Sequence, residues 1–289
     1  MSDEAALRRH AILCVLVSSA GFTFASALVK ASSAGIPTVQ VMLFRSLFAA
    51  ITVAPLLWRE GGISALRTRR PWDHVRRTVL GCGGMGCAFY GYAHLPLAFN
   101  TALGFAMPLL LTLLSIPMLG ERVGAKRLGV VLTGLAGVLV IVQPWRETGM
   151  EVIPVLVVLA GVVFWALTMI TIRRMGGLGE RNVAIVLWFA IGGTVMCALL
   201  TIPVWVTPSW PQLAGLIGIG LVSGVAQMLM TEGYRTGQAS MVAPFEYGAI
   251  VYATLIGAVF WGEWPDLATL TGIGIIVAAG LYLWKDNSA

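Results

Sequence analysis

Two charged residues, Arg45 and Glu246, stand well inside long apolar stretches of this 289-residue sequence. A charge in bilayer hydrocarbon costs on the order of 3 kcal/mol on insertion scales, so each needs a role. Arg45 suits either a structural tie to a backbone carbonyl or glutamate, or a place on a cavity wall. Glu246 follows Pro244, a residue suited to the first turn of a helix. Its carboxylate then sits near free backbone N–H groups and the positive end of the helix dipole. Substrate contact and proton coupling are the other two readings of Glu246. The two residues lie in opposite leaflets, about 9 Å apart along the membrane normal at 1.5 Å per residue. A zwitterionic ligand between them fits that spacing better than a direct salt bridge. Mid-stretch aromatics are the remaining candidates: Phe89, Tyr90, Trp165, Trp188, Tyr247 and Tyr252. Buried Tyr and Trp want partners for their O–H and N–H groups. Each alone reads as packing; together they suit a central cavity for an apolar or aromatic side chain.

Catalytic chemistry finds no footing. His10, His74 and His94 are scattered, and no His-Glu-x-x-His, membrane aspartate pair or phosphate-cradling glycine loop occurs. Cys14, Cys82, Cys87 and Cys197 have no zinc-ligand spacing and read as small buried hydrophobes. No catalytic residue, metal or cofactor is expected. Lys30, Arg173 and Glu232 fall near the ends of apolar stretches, where long side chains reach the headgroups. Glu121 and Glu263 mark boundaries.

The elements that position these residues are apolar helices. The sequence is 58% hydrophobic and 11% charged, against about 25% charged for a soluble domain. Ten stretches are long enough to span a bilayer: 11–29, 38–57, 79–98, 101–119, 127–144, 152–172, 183–203, 212–233, 239–261 and 267–284. They lack the two-residue alternation of a β-barrel. With the N-terminus in the cytoplasm, sixteen Lys and Arg fall on that side, including Arg76 and Arg77, and two, Lys30 and Arg146, on the other. This is a strong positive-inside bias. It places both termini in the cytoplasm and explains the net charge of +6 without nucleic acid. Arg8-Arg9 before the first apolar stretch mimics a signal peptide, but that stretch has a repeat partner, so its retention is expected. The segment 58–78 reads as a basic, membrane-surface loop. Trp145, Trp205, Trp210, Trp264 and Trp284 sit where indoles anchor at headgroups.

Glycines thin the third and eighth stretches (Gly81, Gly83, Gly84, Gly86; Gly215, Gly218, Gly220, Gly224). Small residues let membrane helices associate closely; they also leave room for sliding or a ligand. Prolines at 55, 96, 117 and 203, and especially Pro108 and Pro244, are expected to kink or gate helices.

The sequence repeats itself. Gly91-Tyr92 returns as Gly233-Tyr234, and Gly120-Glu121 as Gly262-Glu263, both 142 residues on; Phe22 matches Trp165 and Lys30 matches Arg173 at 143. Each half, 1–145 and 146–289, holds five stretches. An odd number inverts the second copy in the membrane, the arrangement of many alternating-access carriers.

Segments 100–108, 119–121 and 239–247, the paired Gly-Glu landmarks and Arg45 resemble the drug/metabolite transporter superfamily, its ten-span EamA-type members. The resemblance covers nearly the whole chain. Pro108 has Ile250 as its counterpart, and the ninth stretch carries its proline earlier, at Pro244, so the halves are not equivalent. The resemblance implies an all-α basket around a central cavity in the bacterial inner membrane, working as a monomer on a small-molecule substrate. Within the family the chain is most similar to exporters of amino acids, including aromatic ones. The Pro-Phe-Glu-Tyr segment is also similar to metabolite importers, so an uptake carrier or facilitator of a riboflavin-like or S-adenosylmethionine-like molecule is the alternative. An intramembrane enzyme is the third reading.

Overall fold

The computed structural model describes residues 2–32, 34–104, 106–107, 110, 114, 118, 125–142, 152–236 and 248–287. Every regular element among them is helical. The α-helices are α1 (Ser2–Ser32), α2 (Thr38–Arg59), α3 (Pro71–His94), α4 (Leu97–Gly104), α5 (Ala125–Val142), α6 (Val152–Gly177), α7 (Asn182–Thr201), α8 (Trp210–Thr236), α9 (Gly248–Trp261) and α10 (Leu267–Asn287). Five contain stretches long and apolar enough to cross a membrane: Arg9–Ser32, Thr38–Arg59, Val152–Ile172, Val183–Val204 and Trp210–Met230. Shorter apolar helices are Leu132–Ile141, Gly248–Trp261 and Leu267–Ala279. Exposed Leu13, Ile51, Leu156, Val195, Leu255 and Val259 give the outside an apolar coat. Water would penalise such a surface and hydrocarbon does not.

Helix ends follow local chemistry more closely than hydropathy. The third helix begins at Pro71, eight residues before the apolar stretch, because Pro71 fits a first turn and Asp73 sits at its positive end. It stops at His94, earlier than expected, because Pro96 cannot continue it. The fourth helix therefore starts at Leu97 rather than at 101. The segment 58–78 is built from a 3-10 turn, Gly62–Leu66, and the start of α3.

Packing pairs α1 with α8, α3 with α6, α2 with both α7 and α8, α4 with α9, and α5 with α10. Two of these contacts depend on missing side chains. A Cβ on Gly84 would sit 3.3 Å from the Gly161 carbonyl and 3.4 Å from the Trp165 amide, so α3 and α6 meet backbone to backbone. A Cβ on Gly220 would collide with Phe48 of α2. The largest apolar cluster joins Phe99 and Leu103 of α4 to Ile141, Val158, Val162 and Ile276.

Polar ties lock the ends. Gln40, fully buried, donates to the Val206 carbonyl at 2.7 Å and accepts from the Val206 amide at 3.1 Å. Lys30 turns into the protein instead of out to headgroups: its Nζ lies 2.6 Å from Glu263 and donates to the Leu95 carbonyl at 3.0 Å. At another end, His74 and Thr68 both meet Glu180, at 3.2 and 2.7 Å. Trp205, Trp210 and Trp264 are exposed. Trp145, Pro108, Pro117, Pro244 and Glu121 lie outside the described residues, as do Glu246 and Tyr247.

Candidate functional site

A cavity of about 340 Å³ runs through the middle of the bundle. That volume lies within the range of small-molecule sites, about 300–1,000 Å³. Its wall on α3 extends from Arg77 to Tyr92, a rise of about 22 Å at 1.5 Å per residue. α1 contributes Phe22 and Ser26, α2 Arg45, α4 Asn100 and Thr101, α6 Trp165 and Thr168, α7 Phe189, and α8 Ser223 and Gln227. Among the described residues α5 contributes none to this wall, and it packs on α10.

Of the residues expected at the site, Arg45, Phe89 and Trp165 line this cavity. Three others are placed elsewhere. Trp188 donates its indole N–H to the Leu66 carbonyl at 3.0 Å and faces His74, pinning the 3-10 turn to α7. Tyr90 stacks on His94, ring centroids 4.1 Å apart. Tyr252 lies beside Gly248 on α9.

The cavity also holds residues that sequence reasoning missed. Arg77 is the main one. Grouped by sequence with the loop arginines, it is 9% exposed in the structure and lines the cavity. Its guanidinium carbon lies 4.0 Å from the Phe189 ring centroid; that of Arg45 approaches the same ring to 5.9 Å. Both residues sit about two turns inside the N-terminal ends of their helices, yet they converge on one aromatic ring. Gly81 makes this possible: a methyl there would collide with Nη1 of Arg77 and with Phe189. The side chain therefore lies along the thin face of α3. Phe22 and Tyr92 are further members. Their signal was present, since Phe22 is the repeat partner of Trp165 and Tyr92 belongs to a repeated Gly-Tyr pair.

Among the described residues the wall is electrostatically one-sided. Among the described residues the cavity is lined by two guanidiniums and by no Asp or Glu. Arg77 leaves Nε and Nη1 without a hydrogen-bond partner there, and Thr168 leaves its hydroxyl so. A buried polar group without a partner costs on the order of 1–3 kcal/mol, more if charged. Apolar and aromatic side chains fill most of the remaining wall. Among the described residues that line the cavity there is no histidine, cysteine, aspartate or glutamate, and the arrangement suits binding.

A family model for the EamA-like transporter family matches residues 9–143 and, a second time, residues 152–284. Among curated relatives, the chain is 31% identical to the pseudopaline exporter CntI of Pseudomonas aeruginosa, over 97% of this chain and 98% of that one. It is 30% identical to a riboflavin transporter of Rhizobium johnstonii, over 87% and 82%. It is 28% identical to an S-adenosylmethionine uptake transporter of Rickettsia felis, over 84% and 82%. A crystal structure with 20% identity superposes with a TM-score of 0.70, covering 96% of this chain and 99% of the other, so the fold is shared.

Proposed function

The chain belongs to the EamA-like transporter family, and on that premise we propose that it is a secondary transporter of the bacterial inner membrane. In this reading it exports amino acids, aromatic or apolar, or similar small metabolites by alternating access. The observation that carries this is the central cavity, walled by helices from both halves of the chain and by aromatic side chains with two cations. A carrier needs a central site that either half can open.

An inverted duplication into ten spans, with halves 1–145 and 146–289, is part of the proposal. The double family match supports it. So does the packing. Exchanging each of α1 to α5 with the helix five places later maps the pair α1–α8 onto α6–α3. It leaves α2–α7, α4–α9 and α5–α10 as their own mates. Five helices per half invert the second copy. The basic bias supports cytoplasmic termini; moving Arg77 from loop to cavity leaves that bias intact. Because one chain supplies both halves, a monomer suffices. Export is favoured by the exporter that is similar over nearly the full length. Two relatives named for uptake or transport of other metabolites support the alternative, an uptake carrier or facilitator.

The test is counterflow in liposomes holding the purified protein, with labelled phenylalanine, methionine and threonine assayed separately. Saturable exchange is expected, fastest for phenylalanine. Flat traces for all three from folded protein would sink the amino-acid reading and leave a larger metabolite as the cargo.

A further inference from the structure

The cavity meets its contents with two guanidiniums and, among the described residues, no carboxylate. We propose that the substrate carries a carboxylate held between Arg45 and Arg77, with its apolar body against Phe22 and Trp165. The inference rests on the cavity being the transport site, and it names the chemical class that site accepts.

Three observations converge. Arg77 is more than nine-tenths buried, and its Nε and Nη1 have no hydrogen-bond partner among the described residues. A structural arginine at that depth would spend those donors on carbonyls or a carboxylate. Second, both cations gather at one ring: their guanidinium carbons lie 4.0 and 5.9 Å from the Phe189 centroid. A guanidinium presents a planar fork of N–H donors, and a planar, two-oxygen carboxylate matches that fork. Third, Gly81 lacks the Cβ that would push the guanidinium away. The thin face of α3 thus serves as the bed on which the Arg77 side chain lies.

The same wall ranks ligands. Two cations repel an amine that brings no acid. They accept a carboxylate whether or not it carries an ammonium group, so an amino acid and its 2-oxo analogue both fit. Phosphate shares the oxyanion chemistry but keeps a dense charge that the surrounding Met85, Phe89, Trp165 and Met169 cannot solvate.

The experiment is thermal unfolding of the purified full-length protein in detergent, with phenylpyruvate, phenylalanine, phenethylamine and inorganic phosphate at matched ionic strength. Phenylpyruvate and phenylalanine are expected to raise the midpoint saturably, and phenethylamine and phosphate to leave it unmoved. Arg77→Gln is expected to raise the half-saturating phenylpyruvate concentration at least tenfold. The proposal is overturned if phenethylamine stabilises as well as phenylpyruvate, if phosphate matches it, if no carboxylate shifts the midpoint, or if Arg77→Gln responds like the unaltered protein. The comparison of phenylpyruvate with phenethylamine needs no variant, so a misfolded Arg77→Gln still leaves a decisive result. Counterflow of labelled phenylpyruvate separates the two layers. Carboxylate-dependent stabilisation with flat counterflow keeps the anion site and removes the carrier reading. Counterflow indifferent to Arg77→Gln keeps the carrier and removes the anion site.

Discussion

Glu263 does two jobs with one carboxylate. Oε1 meets Lys30 at 2.6 Å, and Oε2 accepts the backbone N–H of Leu97 at 3.0 Å, capping the start of α4. Gly262 aims it: its φ of +66° ends α9 in a left-handed turn that few other residues adopt cheaply. Glu263→Gln keeps the shape and removes the charge. Hydrogen bonds to charged groups contribute about 1.5–3 kcal/mol each, and the pair here is 13% and 24% exposed. A loss of about 2 kcal/mol in resistance to denaturant is expected for Glu263→Gln; an unchanged unfolding curve would show that the contact contributes nothing. The sequence marks Glu263 as a boundary because the Gly-Glu pair repeats, but its partner Lys30 is 233 residues away and nothing local announces it. Arg77 was hidden for the opposite reason. It stands beside Arg76 in a basic stretch, and hydropathy cannot tell a side chain that reaches water from one that lies inward over a glycine.

At the level of helices, glycine spacing was legible, whereas the partner each glycine meets was not. Gly84 and Gly218 look alike in sequence, both in glycine-rich apolar helices. A Cβ on Gly84 would press on the Gly161 carbonyl and the Trp165 amide, rigid atoms at 3.3 and 3.4 Å. On Gly218 it would meet the end of Leu28, a flexible group, at 3.5 Å. Gly218→Ala should therefore change stability by less than about 0.5 kcal/mol. Gly84→Leu should cost about 1–3 kcal/mol as overpacking and push α6, with Trp165, off the cavity wall. Measuring unfolding in denaturant for both variants checks the contrast; equal losses would mean the close approach of α3 and α6 is unimportant. The helices themselves were readable as apolar stretches. Their ends were less so, because Pro71, Asp73 and Pro96 decide them, and those signals act over one turn where a hydropathy window averages over five.

The whole molecule raises a question that contacts within one helix pair cannot answer: which way each half faces. If each half holds five spans, as proposed, the second copy inserts upside down, and the basic residues then have to gather on one face for both copies at once. Arg59, Arg67, Arg69, Arg70 and Arg76 flank the start of α3 in the first half; in the second, Arg174 is in the last turn of α6 and Arg181 just precedes α7. The structure brings these segments together: Arg181 donates to the Glu60 carbonyl at 3.1 Å, and Thr68 donates to Glu180 at 2.7 Å. Both belong to one face only if α6 enters from the side opposite to α1. On the proposed ten spans the C-terminus is expected on the side of the N-terminus, and the junction near residue 148 across the membrane. A fluorescent reporter that matures in the cytoplasm should glow when fused after Ala289. An alkaline phosphatase, active only outside, should work when fused near residue 148 and fail after Ala289. Phosphatase activity at the C-terminus would mean an odd number of spans. That result would remove the inverted pair, and with it the symmetry by which one half can open the cavity while the other closes it.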